Sequence, residues 1–254
     1  MLADLPEAAE PLRAPKPFHP AGEHLAIELG RVQVLFTTRR GGVSSGPYAS
    51  LNLGRLTADD PDSVSRNRGG LERRLGVRLA YGRQVHGTGV RRVGDGEAET
   101  VIDADGQATA APGIAPMVLT ADCLAVAIAG REAVAMVHAG WRGLAEGVLP
   151  EGVAAVRELG ASGPLSAAIG PGAGPCCYEV GEEVHERFVA YGTDVRRGRN
   201  LDLKAIARLE LQRAGVDPIH DAGLCTICAD PSLFFSHRRD RGVTGRQAGI
   251  AWLT

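Results

Sequence analysis

Short apolar runs separated by glycine-rich turns dominate the chain and predict buried strands. Val32–Thr37 is the first such run, and Ser166–Ile169 and Ile250–Leu253 are later ones. Leu124–Ala129 and Ala133–Val137 flank Gly130-Arg131, a dipeptide that suits the tight turn of a two-residue β-hairpin. The pattern therefore predicts a sheet protein with one central hairpin.

Helical periodicity fills the stretches between these runs. Asp59-Asp60-Pro61 supplies an acidic cap and a proline in the first turn, and the segment that follows ends at Gly76. Leu144 to Leu159 places its apolar residues on one helical face and stops at Gly160, with a kink expected at Pro150. The fold class predicted is α/β. Because no repeat or linker divides the chain, residues 25–254 are expected to form one domain, after a flexible tail at residues 1–24 that is rich in Ala, Pro and Glu.

The predicted hairpin brings a thiol and an imidazole together. A two-residue turn pairs Ala129 with Glu132, Leu124 with Val137 and therefore Cys123 with His138. Directly opposed side chains lie on one face of a sheet with Cβ atoms roughly 4.5–5.5 Å apart. The plainer interpretation is a buried cysteine and a histidine at a strand end, and a one-residue slip would place the two on opposite faces.

Composition narrows the classes of protein. The 254 residues are 44% hydrophobic and carry a net charge of −2, which gives no reason to expect nucleic acid or an anionic membrane as partner. The N-terminus lacks the features of a signal peptide, and no apolar run reaches the roughly 20 residues that span a bilayer. The protein is expected in the cytoplasm. Five cysteines, an odd number, predict reduced thiols rather than a disulfide scaffold.

Other reactive side chains follow predicted strand ends. His86 comes after the strand-like run Tyr81–Val85. Arg39 and Arg40 stand in a glycine-rich loop after the first strand, where arginine offers a fork for phosphate or carboxylate; two solvated surface arginines are the alternative. Near the C-terminus, SHRRD supplies a second dense polar segment with His237, Arg238 and Arg239.

The remaining four cysteines form an adjacent pair, Cys176-Cys177, and a C-x-x-C motif, Cys225 and Cys228. Together they can be imagined as a four-thiolate zinc site. Adjacent cysteines are expected to splay, however, and a second C-x-x-C is missing. The sequence therefore argues against such a site and leaves these thiols without an assigned role.

Six motifs follow one another along the chain: FTTRRGGVSSGPYASLNLG, QVHGTGV, TADCLAVAI, VHAGWRGL, IGPGAGPCCYEVG and CTICADPSLFFSHRRDRGVTGRQ. Together they resemble the laccase-domain family, also called multicopper polyphenol oxidase-like, YfiH-like or peptidoglycan editing factor proteins. The resemblance covers roughly residues 30–254. It implies a single-domain αββα-type layered sandwich with mixed sheets, related to Cys–His toxin deamidases, and a monomer.

The resemblance also implies chemistry. The family's metal ligands carry over to His86, Cys123 and His138, usually holding zinc, and the implied activity is phosphorolysis of adenosine, inosine, guanosine or methylthioadenosine, with adenosine deamination in some members. The catalytic residues expected are those three ligands and Arg40. Many relatives have His-Val-Gly-Asp-Asp where this chain has residues 55–60, which leaves the role of that loop open. The substrate-binding residues expected are Arg40, Asn52, Asp122, Arg142, His237, Arg238 and Arg239.

Three functions remain to be weighed. Three protein ligands with an open fourth position are typical of catalytic zinc, which suits a metal-dependent phosphorylase or deaminase. A Cys–His amide hydrolase that edits peptidoglycan precursors would use Cys123 as nucleophile and His138 as base. A copper-dependent polyphenol oxidase fits less well, because the chain has seven histidines and no His-x-His, although adventitious copper at the three ligands is compatible with weak oxidase activity. A role in binding alone has the least support.

Overall fold

A computed structural model describes residues 12–98 and 101–254. Its helices are α1 (Pro61–Leu75), α2 (Trp141–Glu146), α3 (Val148–Glu158), α4 (Glu182–Glu186) and α5 (Leu203–Arg213). Its strands are β1 (His19–Ala21), β2 (His24–Leu29), β3 (Val32–Phe36), β4 (Arg78–Ala80), β5 (Val90–Arg92), β6 (Gly106–Thr109), β7 (Ile114–Thr120), β8 (Leu124–Ala129), β9 (Val134–Ala139), β10 (Leu165–Ile169), β11 (Arg196–Arg197), β12 (Asn200–Leu201), β13 (Val216–Asp221) and β14 (Gln247–Leu253).

Two six-stranded mixed sheets form the body of the protein. The first has the order β1-β2-β3-β14-β7-β4 and the second β13-β10-β8-β9-β6-β5, while β11 and β12 form a separate pair. Most neighbours are antiparallel, but β4 runs parallel to β7, β10 to β13 and β5 to β6. The predicted α/β class with mixed sheets is confirmed.

Strand alternation explains how the sheets stack. Along β8, Leu124, Val126 and Ile128 pack in one cluster with α2, α3 and α5. Ala125, Ala127 and Ala129 face the other way, into a cluster with β2 and β3 of the first sheet. The outer face of the first sheet packs in turn against Leu71 and Leu75 of α1. Successive side chains of a strand point to opposite faces, so β8 contributes to two cores.

Local sequence signals fix the helix ends. Asp60 caps α1 by accepting hydrogen bonds from the backbone N–H groups of Asp62 and Ser63, and Gly76 ends the helix in a left-handed conformation, as predicted. The helix expected over residues 144–159 is instead two helices. Gly147, at φ 88°, separates α2 from α3, and Pro150 lies in the first turn of α3, where its missing N–H breaks no bond.

The N-terminal segment enters the fold earlier than expected. His19–Ala21 pairs with β2, and Phe18 is buried against Phe36. The tail predicted to end at residue 24 is therefore wrong for residues 18–24, since apolar contacts and strand pairing hold them. Residues 1–11 lie outside the described part of the chain. No helix among the described residues is long and apolar enough to cross a membrane.

Candidate metal centre and substrate pocket

The central hairpin forms with a register two residues away from the predicted one. Residues 130–133 make a four-residue loop, closed by the Gly130 N–H donating to the Ala133 carbonyl at 2.9 Å, and Ala125 opposes His138. The predicted pairing of Cys123 with His138 is therefore wrong. Because the slip is an even number of residues, Cys123 keeps the face that carries His138 and becomes its diagonal neighbour, within reach.

Cys123 sits where the chain crosses from the first sheet to the second, in the link between β7 and β8. Asp122, just before it, has φ 89°, a left-handed conformation that is uncommon outside glycine. Its two carboxylate oxygens accept hydrogen bonds from the Thr226 hydroxyl and from the Arg238 backbone N–H, each at 2.7 Å. These two bonds hold the backbone turn that presents the thiol.

His138 is oriented by Asp105 across the sheet. Gly106 pairs with Val137, so the antiparallel register sets Asp105 opposite His138. The Asp105 Oδ1 atom lies 2.8 Å from His138 Nδ1, and both side chains are buried. Because Nδ1 is engaged, Nε2 remains as the nitrogen that faces Cys123 and can bind a metal. Carboxylates orient metal-binding histidines in this way.

The same carboxylate holds the loop that carries His86. Asp105 accepts hydrogen bonds from the backbone N–H groups of Val85, His86 and Gly87 at 3.1, 2.9 and 2.8 Å. The Gln84 amide adds a two-way link to the backbone of Leu119 in β7, at 2.8 Å in each direction. Residues 84–87 are therefore fixed to both sheets. The strand predicted over Tyr81–Val85 is wrong; the strand β4 ends at Ala80.

The three predicted ligands converge. The Cys123 Sγ atom lies 3.9 Å from His86 Nε2, and the donor atoms of His86, Cys123 and His138 all lie within 4.8 Å of one another. The two imidazole rings meet edge to face, with centroids 4.9 Å apart. Gly140 leaves no room for a larger residue, because an added Cβ would lie 3.0 Å from Cys123 Sγ and 3.1 Å from His86 Cδ2.

Charge interactions at this centre favour a thiolate and a protonated imidazole. Burial raises the pKa of Cys123, but the charge of His138 and hydrogen bonds from both histidines outweigh it and lower that pKa to about 6. Burial likewise lowers the pKa of His138, but Cys123 and Asp105 raise it to about 9. For Asp105, hydrogen bonds from His138 and from Gly87 and Val85 overcome burial and lower the pKa. A metal ion would take the place of the proton between these donors.

Two imidazole nitrogens and one thiolate fit a single transition-metal ion. Ligand bonds of roughly 2.0–2.3 Å to zinc require donors somewhat closer together than 4.8 Å, a distance that small side-chain rotations cover. The same donor set occurs at mononuclear copper centres. Among the described residues, which include all seven histidines, the other group able to hold a metal consists of cysteines alone. The multi-histidine cluster of a multicopper oxidase is therefore not formed by these residues.

A pocket of about 550 Å³ opens over this centre. Of the predicted substrate-binding residues, Asp122, Arg142, His237 and Arg238 line it together with the three ligands. Three aromatic residues also contribute to the wall, and two of them are Trp141 and Tyr178. Each of these two rings is covered by an arginine, since the Arg142 Cζ lies 4.4 Å from the Trp141 ring and the Arg238 Cζ lies 4.8 Å from the Tyr178 ring. The pocket combines cationic and aromatic surfaces.

Two further arginines that line the pocket, Arg68 and Arg246, make most of their contacts within the protein. Arg68 is 5% exposed; its Nε donates to the Leu53 carbonyl at 2.8 Å, its guanidinium lies 4.2 Å from the Tyr81 ring, and its Nη1 has no hydrogen-bond partner among the described residues. Burial lowers the pKa of Arg68 to about 10. Arg246 is bonded to the carbonyls of Thr244 and Gly245. Burial lowers the pKa of Arg246, against the charges of Cys123 and Asp122. Arg68 therefore brings positive charge to the pocket wall and keeps a buried Nη1 donor beside it.

Three predicted site residues lie outside the pocket wall. Arg40 is engaged by Ser232, through a 2.7 Å bond to its hydroxyl, and lies 3.8 Å from Glu23. Arg239 donates to the carbonyls of Thr226 and Phe234 and pairs with Asp240. Asn52 is fully buried, and its side chain secures the loop over residues 52–59 and the backbone N–H of Arg246. The polar atoms of all three residues are bonded within the scaffold, and their role in the site stays a prediction.

Sequence reasoning missed several residues of the site. Asp105 precedes a short strand in a segment that gave no strong signal, and its role depends on the pairing of β6 with β9. Arg68 lies on the helix α1, where its spacing makes it look like one of many surface arginines. Trp141 and Tyr178 stand inside motifs already noted, HAGWRG and CCYEVG, and an aromatic residue beside a predicted ligand was the available signal.

The fold and the site define a class: mixed α/β proteins of two packed sheets, with a set of two histidines and one cysteine at the base of a cationic and aromatic pocket. Residues 33–254 match the family described as multi-copper polyphenol oxidoreductase laccase, and the chain belongs to it.

Similar proteins are named for another activity. A protein of Pseudomonas aeruginosa named purine nucleoside phosphorylase PA4543 is 42% identical over 235 residues, covering 88% of this chain and 94% of that protein. A purine nucleoside phosphorylase of Xylella fastidiosa strain 9a5c is 43% identical over 245 residues, covering 87% and 92%. The crystal structure of a protein called YfiH from Bacillus licheniformis superposes with a TM-score of 0.87 at 32% identity, covering 94% of this chain and all 100% of that one.

Proposed function

We propose that this protein is a zinc-dependent purine nucleoside phosphorylase. The observation that carries the proposal is the meeting of His86, Cys123 and His138 at the base of a pocket lined by arginines and aromatic rings. The names of the relatives from Pseudomonas and Xylella support it. A pocket of about 550 Å³ has the size of a small-molecule site, since such sites typically enclose roughly 300–1,000 Å³.

The cations of the pocket suit inorganic phosphate. Arg68, Arg142 and Arg246 line the same wall of the pocket and bring positive charge to it. Arginine binds phosphate oxygens through two parallel N–H donors, and burial strengthens that interaction. We assign to these residues the positioning of phosphate for attack on the sugar, and their positive charge offsets the cost of bringing an anion into the pocket.

The reaction exchanges one bond at the ribose C1′ atom for another. A phosphate oxygen forms a bond to C1′ while the C1′–N9 bond breaks, and its electron pair goes to the departing purine, which takes up a proton. Trp141 and Tyr178 provide apolar surface for the base. Both carboxylate oxygens of Asp122 already accept hydrogen bonds. We therefore assign proton donation to His237, which lines the pocket.

His86, Cys123 and His138 would hold the zinc ion, with Asp105 fixing the tautomer of His138. A zinc ion bound by three protein ligands supplies Lewis acidity at an open fourth position. The substrates proposed are adenosine, inosine, guanosine and methylthioadenosine, with adenosine deamination as a second activity. We further propose that the protein acts as a monomer in the cytoplasm, which size-exclusion chromatography and cell fractionation test.

Chromatographic analysis of products tests the function. Purified protein of known metal content is incubated with adenosine or inosine, with and without phosphate. We expect phosphate-dependent release of free base and ribose 1-phosphate, lost in His138→Ala and kept in the exposed control His19→Ala. Hypoxanthine from inosine marks phosphorolysis, and inosine from adenosine marks deamination. Absence of nucleoside turnover by zinc-loaded protein would refute the proposal.

One observation favours a second candidate, a Cys–His amide hydrolase. Asp105, His138 and Cys123 stand in the order of a carboxylate, base and nucleophile, with a thiol of lowered pKa. The predicted relation to Cys–His toxin deamidases and the predicted action on peptidoglycan precursors belong to this candidate. Acyl transfer would proceed through attack of the Cys123 thiolate on an amide carbon, with His138 delivering a proton to the leaving amine.

Inhibitors distinguish the two candidates. A phosphorylase that depends on zinc loses activity with a chelator and regains it on addition of zinc, and bound zinc protects Cys123 from iodoacetamide. A cysteine hydrolase shows the reverse pattern, since chelation frees the thiolate and added zinc blocks it. Activity on muropeptide amides that rises on chelation would favour the hydrolase.

A further inference from the structure

The four cysteines outside the pocket converge on one point. Cys176 and Cys177 follow β10, while Cys225 and Cys228 follow β13. These strands are parallel neighbours, so their carboxyl ends lie at the same edge of the sheet. The Cys176 Sγ atom lies 3.5 Å from Cys228 Sγ and 3.5 Å from Cys177 Sγ, and all four sulfur atoms lie within 4.8 Å of one another. The expectation that the adjacent pair would splay is wrong.

Backbone hydrogen bonds fix the two loops against each other. The Gly172 N–H donates to the Leu224 carbonyl and the Thr226 N–H to the Gly172 carbonyl, both at 3.2 Å. The Gly174 N–H donates to the Cys225 sulfur at 3.2 Å. A Cβ at Gly174 would lie 3.3 Å from Cys176 Sγ and 3.2 Å from Cys225 Cβ, so the loop approaches the thiols as closely as glycine allows. The convergence is thus built into the backbone of both loops.

We propose that Cys176, Cys177, Cys225 and Cys228 bind one Zn²⁺ ion as a four-thiolate site, separate from the centre in the pocket. Zinc–sulfur bonds of roughly 2.3 Å in a tetrahedron place sulfur atoms about 3.8 Å apart, close to the spacing found here. A single cation engages all four sulfurs at once. A disulfide would instead bring two sulfur atoms to about 2.05 Å from each other, whereas Cys176 Sγ lies 3.5 Å from both Cys177 Sγ and Cys228 Sγ.

Charge supports a cation at this position. Four thiolates this close repel one another unless a metal neutralises them. Two of the thiols, Cys176 and Cys228, are exposed, which leaves a path for zinc to enter.

The site would brace one wall of the pocket. Tyr178, which lines the pocket, follows Cys177, and its carbonyl accepts from the Leu201 N–H at 2.9 Å. Thr226 stands between Cys225 and Cys228 and donates to Asp122. The loop of the first pair also bonds to Asp122 directly, from the Ala173 N–H to the Asp122 carbonyl at 2.7 Å. Zinc here would therefore steady the residue next to Cys123.

Metal analysis in a Cys123→Ala background tests the proposal without reference to catalysis. The chain has five cysteines, so this variant keeps only the four in question. Purified under reducing, metal-replete conditions, it should carry about one zinc per chain. Replacement of the metal by Co²⁺ should give the strong sulfur-to-cobalt charge-transfer absorption of a four-thiolate site. Adding Cys228→Ser should remove the zinc, or reduce its affinity at least tenfold.

Two measurements keep the result decisive. If the double variant does not fold, zinc is titrated into demetallated Cys123→Ala protein instead. We expect zinc to protect all four thiols from a chromogenic disulfide reagent and to raise the melting temperature. Cys123→Ala protein that binds no zinc while its four thiols are reduced would overturn the proposal. The proposal would also be overturned if the protein, reduced and then returned to air, lost the mass of two hydrogens, formed a Cys176–Cys228 disulfide and contained no metal.

Discussion

An Asp105→Asn substitution tests the residue that orients the proposed metal ligands while it leaves the ligands themselves unchanged. The Asp105 carboxylate has four hydrogen-bond donors: the backbone N–H groups of Val85, His86 and Gly87, and His138 Nδ1. Oδ2 serves Val85 and Gly87, while Oδ1 serves His86 and His138. Asparagine has one carbonyl oxygen, so one of these pairs must face its NH₂ group. No ligand atom of the metal is removed.

Either orientation of the asparagine costs free energy. If NH₂ faces Val85 and Gly87, two part-buried N–H donors lose their acceptor, which costs up to about 1–3 kcal/mol each. If NH₂ faces His138, the imidazole must accept at Nδ1 and carry its proton at Nε2, the nitrogen needed by the metal. The wrong tautomer then competes with zinc. Loss of such an orienting partner typically weakens metal binding by about 10- to 100-fold.

Zinc affinity, measured by competition with a chromophoric chelator at pH 7.5, checks this prediction. We expect the dissociation constant of Asp105→Asn to rise about 10- to 100-fold, with a matching loss of nucleoside phosphorolysis. Asp103→Asn is the matched control, because Asp103 lies two residues away but is exposed and paired with Arg83. The measurement is made in a background with Cys225 and Cys228 replaced by serine, so that only the pocket centre binds. An unchanged affinity in folded Asp105→Asn would refute the reasoning.

Three further substitutions test the packing, the pocket and the interior. Gly140→Ala places a Cβ 3.0 Å from Cys123 Sγ, so zinc binding should weaken roughly tenfold in the same chelator assay although every ligand remains. Arg68→Met should raise the KM for phosphate about 10- to 100-fold, as expected for loss of a hydrogen bond to a charged group, with a smaller change in the KM for nucleoside. Burial raises the pKa of Glu210 to about 7, and Tyr191 donates to one of its oxygens at 2.8 Å. Ionisation of this carboxyl group at higher pH therefore lowers the stability of the protein, and Glu210→Gln should abolish that pH dependence.

The direction in which Glu210 changes stability with pH follows from the pKa of its carboxyl group in the folded and unfolded states. The unfolded carboxyl ionises near pH 4.3 and the folded one near pH 7, so the contribution is present at pH 4, declines as pH rises and is lost above pH 7. A shift of this size corresponds to about 3 kcal/mol. Melting curves of both proteins at pH 5 and pH 8.5 measure it; equal pH dependence in the variant would contradict the assignment.

For Arg68→Met the matched control is Arg73→Met on the exposed side of α1, which should keep the KM for phosphate.

The hairpin shows how far sequence patterning reaches. Apolar alternation located both strands, but the turn was read as two residues where the protein uses four. Glu132 and Ala133 were assigned to the strand because nothing local marks them as loop. Cys123 and His138 are nevertheless neighbours, because side chains along a strand alternate with a period of two and the register differs from the predicted one by two residues. An odd error would have placed the thiol on the opposite face.

Long-range partners explain what the sequence could not show. Asp105 acquires its role from the pairing of β6 with β9, and Arg68 from the seating of α1 beside Tyr81. Arg40 was predicted in the site from its motif, whereas contact with Ser232 across the fold engages its guanidinium group. The four distal thiols converge because β10 and β13 are parallel neighbours, which spacing along the chain does not reveal.

Backbone conformation links the two cysteine-containing sites. His86 and Asp122 have φ values of 61° and 89°, and a left-handed conformation at such residues costs about 1–3 kcal/mol. Asp105 offsets that cost at His86 through three backbone bonds, and Thr226 with Arg238 offsets it at Asp122. The donors therefore converge before any metal arrives. Because Thr226 lies within the Cys225–Cys228 loop and donates to Asp122, order in that loop supports the position of Cys123. We therefore expect the metal affinity of the pocket centre to depend also on residues that are not its ligands.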